Sequence, residues 1–126
     1  MLKPSPLELE DVPAGPPAGT LLTRLEDLPA HGGKELVFKD GTLVLRLLVQ
    51  RFGGEAVVYE NRCPHAGTPL NMFDDKFVDI TGRRLLCRTH GALFEIEDGR
   101  CVRGPCKGDH LRAVAIEIRD GAIYSL

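Results

Sequence analysis

No apolar run in this sequence approaches the roughly 20 residues that a membrane-spanning helix needs, so no membrane partner is expected. An excess of one charge is missing too: 16 Lys and Arg stand against 18 Asp and Glu, a net of −2. Binding to nucleic acid through phosphates draws on surplus Lys and Arg, so no nucleic-acid partner is expected either. The opening Met1-Leu2-Lys3-Pro4-Ser5-Pro6 lacks the apolar stretch and cleavage site of a secretory leader, and the expected location is cytoplasmic. A convincing helical period is absent; only residues 71–79 could hold one short turn. Histidine and cysteine are scarce, four of each, which makes their placement informative.

What is present points to strands. The chain is 43% hydrophobic and 27% charged over 126 residues, enough for one domain with a modest core. Six of the nine prolines fall in the first thirty residues, and Ala14-Gly15-Pro16-Pro17-Ala18-Gly19 suits neither a helix nor an inner strand. Residues 1–19 are therefore expected to be a Pro-rich extension, and residues 20–126 the domain proper. Residues 42–50 (TLVLRLLVQ) read as a strand, turned by Arg51-Phe52-Gly53-Gly54 into a return strand over 55–59. Asp40-Gly41, Asp98-Gly99 and Asp120-Gly121 are further hairpin-type turns. Over 113–119, Val114, Ile116 and Ile118 alternate with small or charged residues, the pattern of a half-buried strand. Short strands at close spacing with Gly-rich turns imply an all-β antiparallel sandwich or barrel.

Two boxes carry the chemistry: Cys63-Pro64-His65-Ala66-Gly67 and Cys87-Arg88-Thr89-His90-Gly91. Each offers one thiolate and one imidazole, together a two-Cys, two-His metal site on separate loops. A structural Zn²⁺ takes such a set, but usually as a Cys pair and a His pair kept apart in sequence. Here each pair is mixed. A binuclear iron–sulfur core with two thiolates on one iron and two imidazoles on the other matches that mixing directly. Both metals remain open on donor type; the ligand order favours iron–sulfur.

The pattern Cys-x-His-x-Gly followed by Cys-x₂-His-Gly resembles the Rieske [2Fe–2S] family. Gly104-Pro105-Cys106 resembles that family's Gly-Pro loop, which covers the cluster from a third side. Residues 111–126 resemble its closing hairpin, and 21–28 its first strand. The resemblance implies one [2Fe–2S] cluster per chain, ligated by Cys63, His65, Cys87 and His90, in a small cluster-binding part spanning about 61–110. It also implies that both imidazoles present their outer N–H at the protein tip. The cytochrome-complex branch of the family has an additional Cys in each box, paired as a disulfide; the matching positions here are Thr68 and Thr89. That branch also has Ser and Tyr hydroxyls beside the cluster, where this chain has Ala92 and Phe94. Fewer donors to sulfur imply a potential at the low end of the Rieske range, about −150 mV.

The remaining candidates have plain readings. The Cys-x₄-Cys spacing of Cys101 and Cys106 suits a disulfide or a second metal, but cytosolic thiols stay reduced, so two free thiols packed beside the cluster loop are expected, with the disulfide left open. His31 and His110 are expected to be exposed loop residues. Asp74, Asp75 and Lys76 suit a solvated turn. Rieske oxygenases add a mononuclear iron held by two His and a carboxylate in a large further domain, for which this chain has no residues to spare. The expectation is a soluble Rieske-type ferredoxin, a one-electron carrier and not an enzyme. Its implied partners are a flavin-dependent reductase and a terminal oxygenase of the ring-hydroxylating type or another reductase. The alternative is a Rieske-like small subunit of a reductase such as assimilatory nitrite reductase. The expected docking rim is apolar: Pro64, Ala66, Pro69, Leu93 and Pro105.

Overall fold

A computed structural model of the chain describes residues 3–64, 67–71 and 76–126. His65, Ala66 and residues 72–75, which include Asp74 and Asp75 and the middle of the turn expected over 71–79, lie outside the described residues. Among the described residues, nine strands form three antiparallel sheets of three strands each, as the all-β reading expects. The strands are β1 Leu21–Arg24, β2 Gly33–Asp40, β3 Leu43–Phe52, β4 Glu55–Glu60, β5 Arg84–Leu86, β6 Leu93–Glu95, β7 Cys101–Arg103, β8 Ile116–Arg119 and β9 Ala122–Ser125. The sheet orders are β1-β9-β8, β2-β3-β4 and β5-β6-β7. Among the described residues no helix is long and apolar enough to cross a membrane.

Strand β3 holds the molecule together because both of its faces are buried. Side chains alternate across a strand, so Leu45, Leu47 and Val49 face one way and enter a core with Leu22, Leu25, Val58, Val114 and Ile123. Leu48 faces the other way and joins Tyr59, Leu70, Phe77, Leu85 and Phe94 in a second core. That double burial explains why the segment reads as a nearly continuous apolar run rather than a clean alternation. Its partner strands confirm the register: Leu48 lies opposite Tyr59, and Val49 opposite Val58.

The β5-β6-β7 sheet is an insertion between β4 and β8; the second box is its β5–β6 loop, and the first box follows the end of β4. Tyr59 fastens the inserted sheet to the central one, since its hydroxyl donates to the Ile96 carbonyl at 2.6 Å. Burial, followed by the nearby Asp98 and Glu97, pushes the Tyr59 phenol well above its ordinary pKa, so it stays a donor. Past β7 the chain returns along β4, with Glu60 N–H to Arg112 O at 2.9 Å and Val114 N–H to Val58 O at 2.9 Å. The Pro-rich arm lies along the other side of this return. Leu7 N–H donates to Ala113 O and Ala115 N–H to Leu7 O, both at 2.8 Å, and Leu9 is fully buried.

Two differences from the sequence reading have physical causes. Strand β2 (Gly33–Asp40) is not singled out by its pattern, because it runs along the edge of its sheet and none of its residues is fully buried. The alternation over 113–119 does not stay half-buried: Val114 is buried, Ile116 is intermediate and Ile118 is 38% exposed. The strand leaves the core as it goes, and regular pairing with β9 begins only at Ile116. The Asp120-Gly121 turn is seen as expected, with φ of +50° and +74° at its two residues.

Both faces of β3 are expected to matter comparably. Leu47→Ala and Leu48→Ala should each cost about 2–5 kcal/mol, the range for truncating a buried leucine, measured as a shift in chemical denaturation midpoint. A loss confined to one of the two would contradict a strand shared between two cores.

Candidate metal centre

The two boxes fold into loops of the same backbone pattern. In the first, Gly67 N–H donates to Cys63 O at 2.8 Å and Cys63 N–H to Thr68 O at 2.8 Å. In the second, Gly91 N–H donates to Cys87 O at 2.8 Å and Cys87 N–H to Ala92 O at 2.9 Å. The glycine four places after each cysteine has φ +72° in both loops. A side chain in that left-handed region meets the following carbonyl, which is why glycine closes both loops.

This closure sorts the donors by depth. Cys63 and Cys87 are both 0% exposed and belong to the same apolar core as Leu48, Tyr59 and Phe94. His90 is exposed at the tip of its loop. His65 lies outside the described residues, as does Ala66. Ala92 and Phe94, which have no hydroxyl to offer the site, are fully buried and apolar.

Among the described residues two hydrogen bonds join the loops and a buried amide anchors the first of them, and sequence reasoning found none of these. The Thr68 and Thr89 hydroxyls share a hydrogen bond of 3.1 Å, at the positions where a disulfide would stand in the cytochrome-complex branch. Arg88 N–H donates to Leu70 O at 3.0 Å. Asn61, only 3% exposed, is the junction. Its amide donates to Glu35 Oε2 at 2.6 Å and Asn71 Oδ1 at 2.9 Å, while its Oδ1 accepts the Leu70 N–H at 2.8 Å. The only sequence signal for Asn61 is a polar residue directly after an apolar strand, too common to single out.

The Gly-Pro loop packs against the second box. Gly104 has φ +105°, and a Cβ there would stand 2.9 Å from Ala92 Cα, so glycine lets this loop rest on the second box. Pro105 is exposed above it. Beneath lie Cys101 and Cys106, free and buried, with sulfur atoms 2.9 Å apart. Burial first, and then the Cys101 and Cys63 sulfurs, push the Cys106 thiol well above the usual range.

The surface around the tip is less apolar than expected. Pro64 and Pro105 are exposed, but Pro69 and Leu93 are half-buried. A concavity beside His90 is lined by Ile80, Leu93, Arg88 and Arg103, and Ile80 is fully exposed. Ile80 and the arginines were not singled out because they stand in loops and strand ends that only the fold brings to the tip. Of the other candidates, His31 and Lys76 are exposed as expected. His110 is instead half-buried, in a bridge with Arg100 that pulls it against the sheet.

The donor set suits a binuclear iron–sulfur cluster. Two thiols sit where water is excluded and an imidazole sits where it is not, so the inner atom would meet sulfur and the outer one nitrogen. Two variants separate conformational from steric demands here. Gly91→Ala is expected to cost about 1–2 kcal/mol for the left-handed backbone alone, since nothing lies within 4 Å of the added carbon. Gly104→Ala should cost more, as its methyl also collides with Ala92. Asn61→Leu should cost about 1–3 kcal/mol by orphaning the Leu70 N–H. Urea denaturation of the three variants checks the ranking.

A family model described as the Rieske [2Fe-2S] domain matches residues 20–116. No curated protein sequence matches the chain. Among solved structures, the ferredoxin of carbazole 1,9a-dioxygenase from Nocardioides aromaticivorans IC177 superposes with a TM-score of 0.65 at 21% identity, covering 86% of this chain and 97% of that one. The Sphingomonas yanoikuyae B1 ferredoxin gives a TM-score of 0.63 at 23% identity, covering 85% and 96%. A chain from the complex of reduced oxygenase and oxidized ferredoxin in carbazole 1,9a-dioxygenase gives 0.65 at 21% identity, covering 84% and 90%. At these identities the structural likeness speaks for the fold, and the family match spans most of the sequence. The chain belongs to the Rieske [2Fe-2S] domain family, and its cofactor is a [2Fe–2S] cluster.

Proposed function

We propose that this protein is a Rieske-type ferredoxin that carries single electrons from a flavin-dependent reductase to a terminal oxygenase. Cys63 and Cys87 would hold the inner iron, and His65 and His90 the outer one. The observation that carries the reading is the split in depth across two matched loops: both cysteines fully buried, His90 in solvent. When bound, the cluster supplies a one-electron redox centre whose potential imidazole ligation raises above that of all-cysteine clusters.

The residues of the chain then divide the remaining work. The apolar core around Cys63 and Cys87 keeps water from the sulfur side. Gly104 rests on Ala92, and the loop it begins with Pro105 would shield a third side. His90 offers its ring edge to an incoming partner, beside Ile80, Arg88 and Arg103. The similarity to ferredoxins of dioxygenase systems, one of them in a complex with its oxygenase, supports an oxygenase as the electron acceptor.

Anaerobically purified protein is expected to be red-brown, to contain iron and acid-labile sulfide in equal amounts, and to bleach with dithionite. Protein that reconstitutes only with zinc and stays colourless would overturn the reading. The midpoint potential should fall at about −150 mV, because Ala92 and Phe94 donate nothing to the cluster sulfurs. A His90→Cys variant that retains its cluster should move toward about −400 mV, the all-cysteine value. An unchanged midpoint in protein-film voltammetry would remove His90 from the ligand set.

A further inference from the structure

Cys101 and Cys106 have no part in the site as described, yet the fold brings them together. Four residues separate them in sequence, and between them lies the Gly104-Pro105 loop. Cys101 opens β7 and is 0% exposed; Cys106 sits under the loop at 4%. Their sulfurs are 2.9 Å apart, much closer than two packed thiols need to be, and within 1 Å of the roughly 2.05 Å of a disulfide bond. The backbone on either side is already pinned. Cys101 N–H donates to Asp109 O at 2.7 Å, and Gly108 N–H to Cys101 O at 3.0 Å. As a dithiol the pair is also satisfied: Cys106 donates to the Cys101 sulfur, and Cys101 to Arg103 O at 3.3 Å. The dithiol is thus accommodated as it stands, and the disulfide requires the two sulfurs to close by less than 1 Å.

We propose that Cys101 and Cys106 form a reversible dithiol–disulfide couple that staples the Gly-Pro loop, with a low-molecular-weight disulfide such as oxidised glutathione as the oxidant. Cys106 is the residue that reacts first with the oxidant, because its neighbours Pro105 and Lys107 are exposed while Cys101 is sealed within the sheet. When residues 104–107 lift, the Cys106 thiolate attacks one sulfur of oxidised glutathione and releases one reduced glutathione. Cys101 then attacks the Cys106–glutathione bond, forms the intramolecular disulfide and releases the second. Two protein thiols are oxidised, and the two electrons and two protons end on two glutathione molecules. The exchange makes and breaks no bond in either box, and its alkylation readout does not depend on the electron-carrier reading.

The experiment uses the iron-loaded protein equilibrated in glutathione buffers of graded redox ratio, acid-quenched, alkylated and mapped by mass spectrometry. Iron content is measured on the same samples, so loss of the cluster and failure of the couple are told apart. Cys101 and Cys106 should become protected from alkylation together, with the mass falling by two hydrogens, and dithiothreitol should reverse both changes. Cys101→Ser should trap glutathione on Cys106, whereas Cys106→Ser should take up none. Free alkylation of both residues at every ratio in iron-retaining protein would overturn the proposal. So would a disulfide that joins Cys63 to Cys87 in their place.

Discussion

Burying two thiols beneath an apolar core while leaving the neighbouring histidine in water is the constraint on which this structure turns. It is met by backbone hydrogen bonds that close each box on itself, from Gly67 to Cys63 and from Gly91 to Cys87. Each closure needs a residue at φ +72°, a conformation that costs most side chains about 1–2 kcal/mol. Glycine at both places lets the loop reverse within four residues. The cysteine is left pointing inward, and His90 is carried past the reversal to the outside. The scaffold follows from the same need, because loops this tight require a rigid base. Strand β3, packed on both faces, joins the core under the boxes to the core of the remaining sheets.

The way the boxes are joined sets this chain apart from the disulfide-linked branch of its family. A hydroxyl pair at 3.1 Å between Thr68 and Thr89 stands at the bridging positions. Such a bond contributes about 0.5–1.5 kcal/mol net, against about 2–4 kcal/mol for a typical disulfide. The shortfall is made up by groups that no cysteine count would find. Asn61 holds the first box to β2 through Glu35 and to the following turn through Leu70 and Asn71. Glu35 in turn accepts from Arg46 at 3.0 Å, so the junction has an ionic anchor. Gly104 leans on Ala92 by contact alone. Several weak links replace one strong one: Thr68 and Thr89 join box to box, Gly104 joins the third loop to the second box, and Asn61 ties the first box to the central sheet.

Much of the architecture was legible because it is written in local pattern. The hairpin of β3 and β4 announces itself through an apolar run, a Gly-Gly turn and a second apolar run. The Asp120-Gly121 turn is legible because two consecutive left-handed residues favour that dipeptide. Edge strand β2 was not legible, since a strand with no fully buried residue has no compelling reason to alternate. The fading of Val114, Ile116 and Ile118 from core to surface was also hidden. Periodicity shows which face a residue shares, but not how far the sheet extends over it.

The sequence by itself determined the donor types, their order in the two boxes and the strand-rich class, because these depend on residues next to one another in the chain. Tertiary structure alone decided which distant groups meet: Thr68 with Thr89, Asn61 with Glu35, Gly104 with Ala92, and Ile80 with the arginines beside His90. Those meetings depend on how the three sheets stack and on where each loop leaves its strand. Side-chain spacing along the chain carries no record of such approaches, since the free energy that selects them comes from the packing of two cores around β3.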